Sequence, residues 1–210
     1  MRYPRVLGLL LFLGSSGLAV AQSTDKTFEV SPFVGYLFGG DVWERAPDLP
    51  SLSVDDHVDY GVRVGFRATP RWVLELQWTR VPTELSLDFS LPQTHPVNMD
   101  YLIAGVAYEL TGGSLRPYVL LGVGAAFFDP KQVPSETRFT GSLALGLKAF
   151  FTPSMGLRVE ARGYASSLDD TPFGFPCTTF DGSGGPVVPR SCAKSWLFNG
   201  DLTGGLIVAF

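Results

Sequence analysis

Apolar and polar residues alternate along most of this chain with a period of two. In WVLELQWTR, which begins at Trp72, tryptophan or leucine occupies every second position as far as Trp78, and Glu75, Gln77 and Thr79 lie among the residues between them. A period of two is typical of a β-strand with its two faces in different environments, whereas an amphipathic helix repeats every 3.6 residues. Eight runs of this kind are present, at residues 27–38, 57–67, 72–81, 98–110, 116–128, 137–151, 156–165 and 195–210.

The connections between these runs alternate strictly between short and long. Tight turns with Pro or Gly occupy 68–71, 111–114 and 152–155, and the longer segments are 39–56, 82–96, 129–136 and 166–194. This asymmetry predicts an all-β fold, an eight-stranded antiparallel up-and-down β-barrel with its short turns and both termini at one end. Leu85 and Leu87 continue the alternation in the opposite parity to Trp78, so we also expect a β-bulge near Pro82.

Two environments are compatible with such a barrel, depending on which way the apolar face points. In a soluble periplasmic, lipocalin-like ligand carrier that face surrounds a cavity, whereas in a transmembrane β-barrel it contacts lipid. Each run has about the ten residues that a tilted strand needs to cross hydrocarbon, and Trp72, Trp78 and Phe151 lie near strand ends, where aromatic girdles occur. We therefore predict a transmembrane barrel with a narrow polar interior. Its interior network is predicted to contain Arg63, Glu75, Lys148, Arg158, Glu160 and Arg162.

Composition excludes several other classes of protein. The chain is 45% hydrophobic and only 17% charged, with a formal net charge of −4. A disordered chain is more polar, and the absence of a basic stripe argues against nucleic acid as a partner. Arg2 and Arg5 precede a short apolar run, and Ala19 and Ala21 follow it, which is the layout of a secretory signal peptide. We predict that residues 1–21 are a signal peptide and that residues 22–210 form the barrel domain.

The last eight residues, TGGLIVAF, form an apolar strand that ends on an aromatic residue. Thr203, Gly205, Val208 and Phe210 resemble the C-terminal signal by which the assembly machinery recognises bacterial outer-membrane proteins. With the alternating runs and the loop asymmetry, this ending makes the chain similar to the small eight-stranded barrels of the outer-membrane protein A, X and W type. The resemblance implies a location in the bacterial cell outer membrane. It also implies outer-membrane lipid, lipopolysaccharide and the barrel-assembly machinery as partners.

The two cysteines, Cys177 and Cys192, both fall in the longest connection. An exported protein meets an oxidising environment, so we expect a disulfide between them. Two cysteines without a nearby histidine do not form a metal site, and we predict neither a metal ion nor a cofactor.

The sequence DDHVDY contains the strongest candidate for catalysis. A carboxylate next to His57, from Asp55, Asp56 or Asp59, is able to act as a base toward water. Acidic and histidine residues of this kind also occur in outer-membrane proteases, but those barrels are larger. We interpret the cluster as an ordinary solvated loop edge and predict that the protein is not an enzyme.

The predicted function is that of an integral outer-membrane protein with a structural or surface-binding, adhesin-like role through its extracellular loops. An alternative is a narrow outer-membrane channel or a conduit for hydrophobic solutes, which requires a continuous lumen or a lateral opening. The soluble periplasmic carrier is a second alternative. The loops, rather than the barrel wall, are the expected place for an extracellular ligand.

Overall fold

Eight long strands make up the body of the protein, as the alternation predicts. The computed structural model describes residues 26–40, 51–88, 93–130, 135–167, 178–179, 188–189 and 196–210. The predicted signal peptide, residues 1–21, lies outside the described residues. Within them, no helix has the length and apolar character needed to cross a membrane. The long strands are β1 (Phe28–Phe38), β2 (His57–Arg67), β3 (Trp72–Asp88), β4 (Gln93–Glu109), β5 (Leu115–Pro130), β6 (Glu136–Phe150), β7 (Met155–Ser167) and β8 (Trp196–Ala209).

The sheet closes on itself. Each long strand pairs antiparallel with the next one along the chain, and β1 pairs with β8 through registers such as Glu29 opposite Ala209. The backbone of Phe210 extends the seam, because its N–H donates to the carbonyl of Phe28 at 2.9 Å. Closure removes free sheet edges along the length of the barrel. The predicted eight-stranded antiparallel up-and-down barrel is therefore confirmed.

The apolar stripe of each strand faces outward. Leu76, Leu145 and Val159 are 50%, 60% and 55% exposed, whereas Arg158 and Glu160 on the alternate positions of β7 are almost fully buried. A barrel in water has the reverse arrangement, because apolar burial stabilises a soluble fold and burial of charge destabilises it. The soluble carrier is thus excluded by the direction of the side chains. Apolar side chains also lie inside, among them a cluster formed by Val73, Ala107, Tyr118, Leu120 and Ala144.

The short turns share one end of the barrel. The hydroxyl of Thr69 accepts from the N–H of Trp72 at 3.0 Å, and the hydroxyl of Thr152 accepts from the N–H of Met155 at 2.9 Å. Gly113 has a φ of 114°, which only glycine adopts without strain. Local hydrogen bonds of this kind close the turns, and backbone N–H groups of neighbouring strands add to them, as when Ala209 donates to the carbonyl of Ser154 at 2.8 Å. Because neighbouring strands are antiparallel, the strand ends that flank the long connections all lie at the opposite end of the barrel.

The predicted long connection over 82–96 is wrong, because most of it is strand. β3 and β4 keep one unbroken register from Trp72 opposite Tyr108 to Leu87 opposite Gln93, so they form a hairpin that extends past the barrel rim. Ser51–Val54 adds a third strand by pairing with the upper part of β3. Within this hairpin, residues 89–92 lie outside the described part of the chain. The backbone of Leu85 and Leu87 is described but their side chains are not, so the alternation expected there stays a prediction.

The bulge expected near Pro82 is also displaced, since Pro82 lies opposite Asn98 in that unbroken register. Val54 pairs with Leu85 and Tyr60 pairs with Arg80, so the five residues 55–59 lie opposite only four residues of β3, 81–84. The extra residue is therefore in the segment 55–59. Pro82 falls within this interruption of the β2–β3 ladder, where its missing N–H costs no ladder hydrogen bond. The hydroxyl of Thr83 donates to the carbonyl of Asp55 at 2.7 Å and bridges the interruption.

Candidate functional site: the barrel lumen

The middle of the lumen is filled by a layer of charged side chains. Arg158 bonds to Glu75 at 2.5 Å and to Glu160 at 2.5 Å, Arg63 reaches Glu160 at 3.1 Å, and Arg162 contacts both carboxylates at 3.3 and 2.9 Å. Each of these side chains is at most a few per cent exposed. Buried charges are tolerated only when they are paired and hydrogen-bonded, and each of these five side chains forms an ion pair with at least one other. We call them the middle layer.

A second charged layer lies nearer the short turns. Lys148 contacts Glu29 at 2.6 Å and Glu109 at 3.0 Å, Arg67 contacts the same two carboxylates at 2.6 and 2.8 Å, and Arg116 reaches Glu109 at 3.3 Å. We call these five the lower layer. Each layer contains three cationic and two anionic side chains, so neither presents a field of one strong sign to a passing ion.

Tyr118 connects the middle layer to the wall of the barrel. Its hydroxyl donates to Glu160 and accepts from Nε of Arg158 at 2.6 Å, and the Arg158 guanidinium lies 4.7 Å from the ring centre. Gly146, opposite Tyr118 on β6, provides the space, because a Cβ at Gly146 would lie 2.2 Å from the tyrosine oxygen. The glycine is therefore part of the site although it carries no functional group.

Contacts cross the full diameter of the lumen. β3 and β7 are opposite each other in the ring of eight, and they are joined by Glu75–Arg158 and by Gln77, which donates to the hydroxyl of Tyr164 at 3.0 Å. β4 and β8 are likewise opposite, and Asn199 donates to Tyr101 at 2.9 Å. An eight-stranded barrel has room for little more than its own side chains. In this structure the lumen is bridged at several levels.

Sequence reasoning found part of this network. Arg63, Glu75, Lys148, Arg158, Glu160 and Arg162 are all buried in the interior. Lys148 belongs to the lower layer and the other five to the middle layer. The predicted network did not include the lower-layer residues Glu29, Arg67, Glu109 and Arg116, although each has the inward parity of its strand. This parity was the sequence signal from which their inward orientation could have been predicted.

The residues of the acidic and histidine cluster lie in different surroundings. His57 is exposed at the start of β2, whereas Asp59 is completely buried and neither of its oxygens has a hydrogen-bond partner among the described residues. Asp56 accepts from the N–H of Gly39 at 2.8 Å, as a loop-edge residue does. His57 and Asp59 are therefore not hydrogen-bonded to each other, as a carboxylate–histidine pair would be.

The four residues with the C-terminal pattern lie in β8 and just after it. Thr203 is buried and accepts from Arg63 at 2.9 Å, whereas Val208 and Phe210 are exposed on the outer face. Phe210 stacks on Phe28 at a centroid distance of 6.1 Å. A Cβ at Gly205 would lie 2.5 Å from the carbonyl oxygen of Pro32, so the position needs glycine.

Both cysteines of the predicted disulfide, Cys177 and Cys192, lie outside the described residues. The described backbone nearby forms a two-residue ladder, in which Thr178 lies opposite Pro189 and Thr179 opposite Val188. Cys177 directly precedes this ladder and Cys192 follows it by three residues. The disulfide stays a prediction.

Comparison with known proteins identifies the family. The sequence profile of the outer membrane protein β-barrel domain matches residues 7–176. The chain belongs to this family. Membership places the protein in the bacterial outer membrane, with the apolar stripe of each strand toward lipid. No protein of curated function matches the sequence significantly.

Solved structures share the fold of this outer-membrane barrel at low sequence identity. Neisserial surface protein A has a TM-score of 0.59 at 14% identity, over 87% of this chain and 97% of that protein. OprG from Pseudomonas aeruginosa has 0.56 at 12%, over 90% and 99%. The outer membrane protease OmpT from Escherichia coli has 0.51 at 7%, over 89% and 98%. Because one of these similar folds is a protease, side chains and not the fold decide the question of catalysis.

Proposed function

We propose that this outer-membrane barrel is a rigid, non-enzymatic scaffold that presents its extracellular loops for binding, in an adhesin-like or structural role. The observation that carries the proposal is the set of side-chain contacts across the lumen diameter, above all Glu75–Arg158 at 2.5 Å. A lumen filled by paired charges is a poor conduit, and it fixes opposite walls of the barrel together. Binding and recognition typically reside on loops held by such scaffolds.

The connection between β7 and β8 is our candidate for the main binding element. It extends from residue 168 to 195, longer than any other connection in the chain, and contains the ladder at 178–179 and 188–189. The proposed Cys177–Cys192 disulfide stabilises it by about 3 kcal/mol in the chain-entropy model. A loop held in this way binds a partner at a lower entropic cost than a free one.

The lipid-facing surface supports the proposed lipid partners. Exposed Leu, Val and Phe side chains follow every strand, and aromatic pairs such as Trp72–Tyr108, with centroids 4.8 Å apart, lie at the short-turn end. Aromatic rings at this depth anchor a barrel at the membrane interface. We infer contact with phospholipid and with the acyl chains of lipopolysaccharide, after insertion by the barrel-assembly machinery.

Replacement of loop residues 168–195 by a short Gly-Ser turn tests the proposed function. Cells that display the intact protein should adhere to extracellular-matrix or epithelial surfaces, and the variant should lose this adhesion while its barrel still folds. The matched control shortens the connection around residues 131–134 and should retain adhesion. Equal adhesion of all three strains, or of cells without the protein, would contradict the proposal.

A further inference from the structure

A groove crosses the outer wall of the barrel from β1 to β5. One side of it is a row of exposed apolar side chains, each opposite the next in the strand registers: Phe28, Phe66, Leu74, Val106 and Leu121. The other side is the neighbouring row on the same face, formed by Val64, Leu76, Ala104 and Val123. We call the space between these two rows the outer groove.

The outer groove has the size of a ligand site. Its floor is the backbone of Glu75, Gly105 and Gly122, which lie at the level between the two rows. Its volume is about 790 Å³, within the range of about 300–1,000 Å³ that ligand sites occupy. Four strand spacings of about 4.8 Å give it a length of about 19 Å. The hydrocarbon of one leaflet is about 15 Å thick, half of a core of about 30 Å, so the groove accommodates a tilted acyl chain.

The outer groove opens at the short-turn rim of the barrel. Phe28 is the first residue of β1 and Phe66 precedes the last residue of β2, whereas Leu121 lies well inside β5. The groove therefore climbs from the rim toward the middle of the membrane. An acyl chain that follows it has its headgroup at the rim.

The charge of the rim is positive on its outer side. Apart from the lower layer, the charged side chains that the structure describes at the short-turn end are Lys26 and Arg71. Lys26 precedes Phe28 by two residues, and Arg71 donates to the hydroxyl of Tyr108 at 3.0 Å. Neither is in an ion pair within the described part of the chain. At the loop end the exposed charges include the acids Asp56 and Asp129, so the two rims differ in sign.

We propose that the outer groove binds an acyl chain of an anionic phospholipid in the periplasmic leaflet, with the lipid phosphate held at the rim by Arg71 and Lys26. The short turns of an outer-membrane barrel face the periplasm, so the headgroup lies on the side of the two cations. Both side chains donate charge-assisted hydrogen bonds to phosphate oxygens. The inference rests on the lipid contact proposed above and not on binding by the loops.

Spin-labelled lipid tests the groove with the refolded full chain in phosphatidylcholine nanodiscs. Phosphatidylglycerol with a nitroxide on its acyl chain should broaden the methyl signals of Val106 and Val123 at a lower lipid fraction than those of Leu145 on the opposite wall. Arg71→Gln and Lys26→Gln should each raise the fraction needed by about fivefold, the effect of one basic side chain near anionic lipid. Arg80→Gln, which removes an outer cation nearer the loop end, should leave it unchanged.

A second pair of variants fills the groove without a change of charge. Ala104→Trp should remove the preference for Val106, whereas Ala161→Trp, at an exposed alanine of β7, should keep it. Both positions face lipid, so both variants should keep the heat-modifiable gel migration of a folded barrel. Cell adhesion through the loops should be the same in both, which separates failure of this inference from failure of the proposed loop binding.

Equal broadening of Val106 and Leu145 by the labelled phosphatidylglycerol would show only general contact with surrounding lipid and would overturn the proposal. An equal preference for labelled phosphatidylcholine would remove the role of the cations and would also overturn it. A preference for Val106 that survives Ala104→Trp would equally contradict the outer groove as the site.

Discussion

At the scale of single residues, Glu160 holds the middle layer together. It accepts from Tyr118 and contacts Arg63, Arg158 and Arg162. Removal of its charge leaves three buried guanidinium groups with Glu75 as their only carboxylate in the middle layer. Glu160 is thus the position at which a single change tests whether the network stabilises the fold.

We expect Glu160→Gln to lower the free energy of unfolding by about 3–5 kcal/mol, because it leaves buried charge uncompensated. Denaturant unfolding of the barrel in lipid vesicles, followed by tryptophan fluorescence, measures this change. The control is Asp100→Asn, which removes the partner of the 43% exposed Arg80 and should cost about 1 kcal/mol or less. Equal losses in the two variants would show that the lumen network contributes no special stability.

Glycine positions on β6 give a second test of the same layer. Gly146→Ala places a methyl group against Tyr118, so the ring must move and its hydrogen bonds must weaken. We expect a loss of about 1–3 kcal/mol from overpacking. Gly141→Ala, on the same strand with no atom within 4 Å of the new Cβ, should be neutral or slightly stabilising. A stable Gly146→Ala variant would mean that Tyr118 is not held as described.

At the residue scale, the sequence predicts which face of the barrel a side chain lies on better than it predicts which side chains it contacts. The period of two places Arg158 and Glu160 inside, because strand parity alone determines the face. It does not pair Arg158 with Glu75, since a contact between β7 and β3 depends on the barrel diameter and on the register of all the strands between them. The missing partners of Asp59 were likewise invisible, because they depend on which side chains reach the same level of the lumen.

At the scale of the strand, the destabilisation caused by a charge on the lipid-facing stripe depends strongly on its depth in the membrane. Leu145→Arg on the outer face of β6 should destabilise the barrel by about 2–4 kcal/mol, because a guanidinium near the membrane centre loses its hydration. Thr137→Arg, near the loop end of the same strand and also exposed, should cost about 1 kcal/mol or less. Unfolding in lipid vesicles compares them. A similar, small cost at both positions would argue against a membrane-embedded β6.

Strand existence was predictable and strand length was not. All eight alternating runs form strands in the structure, because a period of two over about ten residues is the pattern of a strand whose two faces lie in different environments. Continuation of β3 past Pro82 was anticipated from the alternation at Leu85 and Leu87, but the matching start of β4 at Gln93 was missed because Pro96 reads as a loop residue. In the structure Pro82 lies where the β2–β3 ladder is interrupted, so tertiary pairing with β4 decided the outcome.

At the scale of the whole molecule, the contacts across the lumen predict an electrically silent barrel. The wild-type protein in planar bilayers should show no stable conductance, because paired charges and Tyr118 occupy the lumen. Glu75→Gln combined with Arg158→Gln removes a link across the diameter and should give small, brief openings at most. Steady ion-selective currents through the wild-type protein would favour the channel alternative over the proposed scaffold.

The orientation of the two stripes of the barrel decides which one meets lipid, and methyl-group NMR in lipid nanodiscs measures this directly. Leu145 and Val159 should show nuclear Overhauser contacts with lipid acyl chains, since they are 60% and 55% exposed on the outer wall. Ile103 and Leu120, each 1% exposed inside, should show none. Acyl-chain contacts at Ile103 and Leu120, with Leu145 and Val159 in contact with water, would contradict the inverted barrel and every proposal that rests on it.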